Sequence, residues 1–175
     1  NAGIHQFHLS QGEPAAQVLD GKATLGYASL DGVRSRLAAG VPSVLSGSAF
    51  AVERDAADGL TLRDPWGSLF ELVELDDVDD TRGSQPDGEK AEARCMVDLT
   101  LNVPAAAGAS GLAGIGRYYE QVLGMPVHSL EDDKLILAAA GEPRADGTPR
   151  QTLSFALADG HAAHEEVGED EEGRP

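Results

Sequence analysis

Two tripeptides of the same form, Gly40-Val41-Pro42 and Gly124-Met125-Pro126, stand 84 residues apart, and each ends a helical stretch. Glycine closes a helix because left-handed backbone costs it nothing, and a proline two residues on cannot continue it. Ahead of the first, from Ser29 or Asp31 as N-cap to Ala39, Leu30, Val33 and Leu37 recur on one stripe, with Arg34 and Arg36 turned outward. Ahead of the second, Leu112, Ile115, Tyr119 and Val122 form the stripe of a helix over Leu112 to Leu123. A helix exit that recurs with its helix predicts a second copy of the surrounding unit.

The flanking segments read as strands. Lys22 to Tyr27 places Lys22 and Thr24 on one face and Ala23, Leu25 and Tyr27 on the other. Strand-like Val41 to Leu45, a Ser/Gly turn at Ser46 to Ser48, strand-like Ala49 to Glu53, a turn at Asp55 to Gly59, and Leu60 to Arg63 follow the first helix. In the second copy, Met96 to Val103 sets Leu99, Leu101 and Val103 opposite Asp98, Thr100 and Asn102. Pro104 to Gly111 reads as a loop of small residues. Strands at His128 to Glu131, Lys134 to Ala139 and Gln151 to Leu157 come after the second helix, the last two separated by a Gly/Pro-rich turn from Gly141 to Pro149. Both copies have the order β-α-β-β-β, which predicts an α+β fold with modules at 22–75 and 96–157. Residues 1–21 are then a strand and connector, 76–95 an acidic flexible linker, and 158–175 a disordered acidic tail.

The first copy ends on Asp64-Pro65-Trp66-Gly67-Ser68-Leu69-Phe70-Glu71-Leu72. Pro and Gly at these offsets from Asp64 predict a tight turn leading into a strand. Alternation groups Leu69, Glu71, Val73 and Leu75 on one face and Phe70, Leu72 and Glu74 on the other. Both faces are largely apolar, so a carboxylate there needs a partner, and Glu71 and Glu74 are site candidates. In the strand Ile4 to Leu9, His5 and His8 point to opposite sides and cannot both ligate one metal.

Thirty acidic residues against thirteen basic leave a net charge of −17, which argues against nucleic acid or an anionic membrane as partner. Cys95 is the single cysteine, so no internal disulfide forms and the cytoplasm or another reducing compartment is expected. No apolar run approaches the ~20 residues that cross a bilayer, and no signal peptide is evident. His161 and His164 fall in the acidic tail, where a metal role is not expected.

The Asp64-to-Leu72 stretch resembles the last strand of a module in the vicinal oxygen chelate superfamily, which includes glyoxalase I, bleomycin-resistance proteins and extradiol dioxygenases. Tyr118 to Val127 resembles the helix end common in the same domains. The resemblance implies paired βαβββ modules that curve a mixed sheet around a cavity, with helices outside and a divalent ion held by the first and last strands. Glu71 falls at a ligand position, with a catalytic proton-shuttling role implied. Phe7-His8-Leu9 aligns on Phe70-Glu71-Leu72, which makes His8 a ligand candidate from a preceding module. Position by position, module one offers Lys22 and Glu71, and module two offers Asp98 with Ser154 or Ala156. Lys22, Thr24, Thr100, Asn102 and Ser154 then line the substrate cavity.

Two pairings stay open. Either residues 22–75 pair with a preceding module, giving His8 and Glu71 as ligands, or the two visible modules pair, giving Glu71 and Asp98. The implied function is that of a lyase, isomerase or dioxygenase using Mg²⁺, Mn²⁺, Fe or Zn²⁺ on a small oxygen-rich molecule. The alternative is a metal-free binding module with a degenerate site, its cavity walled by Tyr27, Trp66 and Phe70 and Glu71 paired with Lys22. Partners expected are a small molecule, a second copy of the chain or flanking modules of the same kind.

Overall fold

The computed structural model describes residues 18–76 and 92–159. Eight strands and two helices follow the order β1 (Gly21–Tyr27), α1 (Asp31–Ala38), β2 (Ala51–Ala56), β3 (Gly59–Arg63), β4 (Leu69–Glu74), β5 (Ala93–Pro104), α2 (Gly108–Leu123), β6 (Val127–Leu130), β7 (Lys134–Ala140) and β8 (Gln151–Ala158). They form one sheet in the order β2-β3-β4-β1-β5-β8-β7-β6. β1 lies parallel to β4 and β5 parallel to β8, while every other neighbour is antiparallel. The two halves therefore have the same internal strand order and join at β1 against β5. This is the α+β mixed sheet expected from the sequence.

The helices cover one face. Under α1 the core is Leu30, Val33, Leu60 and Leu72, with Leu25, Tyr27, Leu37 and Phe70 packed around it. Under α2 it is Leu112, Leu135, Leu137 and Phe155, and the Tyr119 and Phe155 rings meet at 5.3 Å. Each fully buried leucine contributes roughly 1.5–3 kcal/mol. Alternation then sends the intervening residues of β1, β4, β5, β7 and β8 to the opposite face.

The seam between the halves is close. Gly21 has φ +144°, and a Cβ built there would lie 1.9 Å from the Thr100 carbonyl oxygen. Only glycine allows β1 and β5 this approach at that backbone angle. Further along the seam, β5 carries an extra residue at Val97, between the Thr24–Asp98 and Leu25–Met96 pairs, and another at Arg94. A bulge turns side chains that strict alternation would put on opposite faces.

The Asp64 turn forms as its residues require. The Asp64 Oδ1 accepts from the backbone N–H groups of Trp66, Gly67 and Ser68 at 2.8–2.9 Å. Gly124 closes α2 in the left-handed conformation, φ 69°. Val41 to Leu45 is not a strand. Pro42 lacks an N–H, a 3₁₀ turn occupies Ser43–Leu45, and with Val44 83% exposed no apolar face holds the segment to the sheet. Nor is Pro104 to Gly111 only a loop. Ala105–Ala107 form a 3₁₀ turn and α2 starts at Gly108, four residues before Leu112. β5 starts at Ala93, ahead of Met96. The expected strand Ile4 to Leu9 with His5 and His8, most of the acidic linker, and the tail with His161 and His164 lie outside the described residues.

Candidate functional site

The sheet face opposite the helices forms a cavity of ≈ 300 Å³. Its floor is built by register. Glu71, Thr24, Asp98 and Thr152 stand side by side on β4, β1, β5 and β8, and Lys22, Thr100 and Ser154 follow in the next row. Neighbouring strands lie about 4.8 Å apart, so the Glu71 and Asp98 backbones are separated by roughly 10 Å. Lys22 and Asp98 are thus equivalent first-strand positions of the two halves, and Glu71 and Ser154 equivalent last-strand positions.

The halves hold their carboxylates differently. In the first, the Lys22 Nζ donates to the Glu71 Oε2 at 2.6 Å, and the Thr24 hydroxyl donates to the same oxygen at 3.3 Å. The Lys22 and Glu71 side chains are 38% and 26% exposed, so the pair sits at the boundary of solvent. Arg54, on the neighbouring part of this face, is held above the ordinary guanidinium range chiefly by its hydrogen bond to Asp58, with the charge of Glu71 adding to the effect. In the second half, the Asp98 Oδ1 accepts from the Ser154 hydroxyl at 2.8 Å and from the Thr152 hydroxyl, and its Oδ2 accepts from the Thr100 hydroxyl. Thr100 and Ser154 are 4% and 1% exposed. Three hydroxyl donors do for Asp98 what an ammonium does for Glu71.

Of the residues singled out from the sequence, Lys22, Thr24, Glu71, Asp98 and Ser154 meet in this cavity. Thr100 lies beneath it, buried against Asp98. Asn102 shares their face but donates to the Asp20 Oδ1 at 2.8 Å at the edge of the seam. Glu74 points to the other face, where its Oε1 accepts from the Leu30 N–H at 2.6 Å and caps the start of α1. Tyr27 and Phe70 do not wall the cavity; both pack under α1, as their alternation dictates. Trp66 does not wall it either, and is 61% exposed on its turn. His8 lies outside the described residues.

Sequence reasoning missed a wall built by the second half. Lys134 and Ile136 of β7 line it by alternation with buried Leu135 and Leu137. Arg144 and Thr148 overhang it from the connection before β8, where the Arg144 N–H donates to the Thr148 carbonyl at 2.8 Å and the Arg144 Nη1 donates to the Pro149 carbonyl at 2.7 Å. In the same turn the Thr148 hydroxyl and N–H hold the Asp146 carboxyl below its usual range. Val97 reaches the cavity through its bulge, and His128 joins from β6. Lys134 was findable from alternation. The loop residues carried no periodic signal.

The donor set does not suit a divalent ion. Of the four positions that the resemblance assigns to ligands, Lys22 brings a cation, Ser154 only a neutral hydroxyl, Glu71 is paired with Lys22, and Asp98 already accepts from three hydroxyls. Among the described residues, no three His, Cys, Asp or Glu side chains group as a metal needs.

No protein-family model and no curated protein matches the chain by sequence. Several solved structures are similar. Glyoxalase I from Zea mays aligns over 79% of this chain and 43% of its own at 17% identity, TM-score 0.43. Lactoylglutathione lyase from Agrobacterium tumefaciens aligns over 84% of this chain and 96% of its own at 8% identity, TM-score 0.30. A glyoxalase/dioxygenase from Nostoc punctiforme aligns over 87% and 97% at 8% identity, TM-score 0.25. The chain spans less than half of the maize protein. By their names these are glyoxalase- and dioxygenase-type proteins.

Proposed function

We propose that this chain is a metal-independent small-molecule-binding protein of the vicinal oxygen chelate type, using the cavity between its two halves. The observation that carries this reading is the 2.6 Å contact from the Lys22 Nζ to the Glu71 Oε2. An ammonium there supplies the positive charge that a metal would bring, and repels any further cation. A Lewis-acid lyase, isomerase or dioxygenase mechanism needs at least three donors around one ion. Here Glu71 is committed to Lys22, and Asp98 to three hydroxyls. Glu71 accordingly acts as an anchor of the cavity floor and not as the proton shuttle that the resemblance implies. At ≈ 300 Å³ the cavity lies at the lower end of the size of small-ligand sites, and polar groups converge in it beside Val97 and Ile136.

The test is a fragment screen read by ¹H–¹⁵N correlation spectra of the labelled chain in excess EDTA. The reading predicts fragments whose shifts centre on Thr24, Asp98, Ile136 and Thr152. Binding that requires a divalent ion, or that maps only to the helical face, overturns it.

A further inference from the structure

Pairing within the cavity is incomplete, and what it leaves has a definite pattern. Lys22 and Glu71 neutralise each other. Asp98 receives three hydroxyl hydrogen bonds but no ion pair, so its negative charge is dispersed and not cancelled. Lys134, across β8, makes no side-chain hydrogen bond or ion pair with any described residue, although it lines the same cavity. Among the described residues, then, anionic Asp98 and cationic Lys134 line this space with no ion-pair partner. They lie on opposite sides of β8. Lys134 pairs with Ala156, two residues along that strand from Ser154, the donor to Asp98. Asp98 itself is registered with Thr152, four residues from Ala156 and two strands from Lys134, so the two backbones stand about 13 Å apart along the strands and about 10 Å across them, a separation that the lysine stem partly closes.

A charge lining a water-accessible cavity recruits its opposite, and two opposed charges at fixed separation select a molecule carrying both. A simple organic acid satisfies Lys134 and places its remainder beside a bare carboxylate. A simple amine satisfies Asp98 and leaves Lys134 alone. A zwitterion satisfies both. We propose that the ligand is a small amino acid, with its ammonium on Asp98 and its carboxylate on Lys134. This assignment rests on the small-molecule-binding reading above and narrows it to one chemical class. Arg144 and Thr148 overhang the same space.

The experiment titrates the full chain with the standard amino acids and with γ-aminobutyrate and 6-aminohexanoate, read by the same correlation spectra. Each binder is then compared with its N-acetyl and carboxamide derivatives. The proposal expects at least one free amino acid to shift cavity resonances, with affinity falling about tenfold or more in each derivative, because each lacks one charge. Asp98→Asn is expected to weaken the free amino acid about tenfold and leave the N-acetyl form unchanged. Lys134→Met reverses that selectivity, affecting the N-acetyl form but not the amide. The comparison of derivatives on the unaltered protein stands even where a variant does not fold. Derivatives that bind as tightly as their parents overturn the proposal. So does a cavity that takes fragments from the screen but none of these zwitterions, an outcome that spares the small-molecule-binding reading. A cavity that takes neither fragments nor amino acids overturns both.

Discussion

The two halves of the cavity solve one problem in two ways. Each must hold a carboxylate on the polar face of a strand that is buried on its other side, and a bare carboxylate in that setting is costly. The first half uses a cation, Lys22 against Glu71, and the result is locally neutral. The second uses hydroxyls from Thr100, Thr152 and Ser154, and the result keeps its charge. Strands in equivalent register therefore differ in charge: the Lys22–Glu71 pair is locally neutral, whereas Asp98 is held by hydroxyls alone. Equivalent backbone positions do not carry equivalent chemistry.

The contrast exists only while β1 and β5 stay in register, so the largest effect is expected at the seam. Gly21→Val forces a branched side chain toward the Thr100 carbonyl at a positive φ, and should destabilise the chain by ~3 kcal/mol or more, measured by urea unfolding. Asp98→Ala comes next. It removes the acceptor of three hydroxyls, two of them nearly fully buried, and a loss of about 2–3 kcal/mol is expected by the same measurement. Lys22→Met should cost about 1 kcal/mol or less, because the pair is partly exposed and solvent takes over part of its role. If Lys22→Met costs as much as Asp98→Ala, the first half is no less dependent on its partner than the second, and the comparison breaks.

A fourth change sharpens the contrast without relying on stability. Lys22→His replaces the cation by a neutral donor beside Glu71 and Asp98, and should create measurable Zn²⁺ or Ni²⁺ affinity by calorimetry where the unaltered chain has none. The smallest effect is expected outside the cavity. Arg36 donates to both Glu92 oxygens at 2.6–2.8 Å and holds that carboxyl below its usual range. A folded pKa lower than the unfolded value means that this pairing contributes stability above the unfolded carboxylate pKa, about 4.3, and loses it as pH falls through the folded value. Glu92→Gln should therefore lower stability slightly at neutral pH and leave the acid end of the profile unchanged, so that the acid limb is flatter.

Much of the fold was legible because it rests on local periodicity. The stripe Leu112, Ile115, Tyr119 and the turn Asp64 to Gly67 each declare their structure over a few residues, and alternation put Lys22 with Thr24, and Asp98 with Thr100 and Asn102, on polar faces, whereas the choice of Glu71 and Ser154 came from the family resemblance. Placing Tyr27 and Phe70 on the cavity wall went against their own alternation, since both sit among the apolar residues that α1 covers. Three features were not legible. The bulge at Val97 depends on the partner strand, not on Val97 itself. The donation of Thr152 and Ser154 to Asp98 spans 54 and 56 residues and follows from parallel register, which one strand cannot reveal. The overhang of Arg144 comes from a Gly/Pro-rich connection whose path is set by the strands it joins. Val41 to Leu45 failed for the opposite reason: its apolar residues suggested a strand, but among the described residues none covers Val41 and Val44, which stand exposed.

The most direct test of the central claim, that the Lys22 ammonium stands where a metal would, is divalent metal content by inductively coupled plasma mass spectrometry. It is run after incubation with Mg²⁺, Mn²⁺, Fe²⁺ or Zn²⁺ and desalting, on the unaltered chain and Glu71→Ala in parallel. The account predicts no stoichiometric ion in either. A near-stoichiometric ion in the unaltered chain that disappears in Glu71→Ala would contradict it and put Glu71 in contact with a metal.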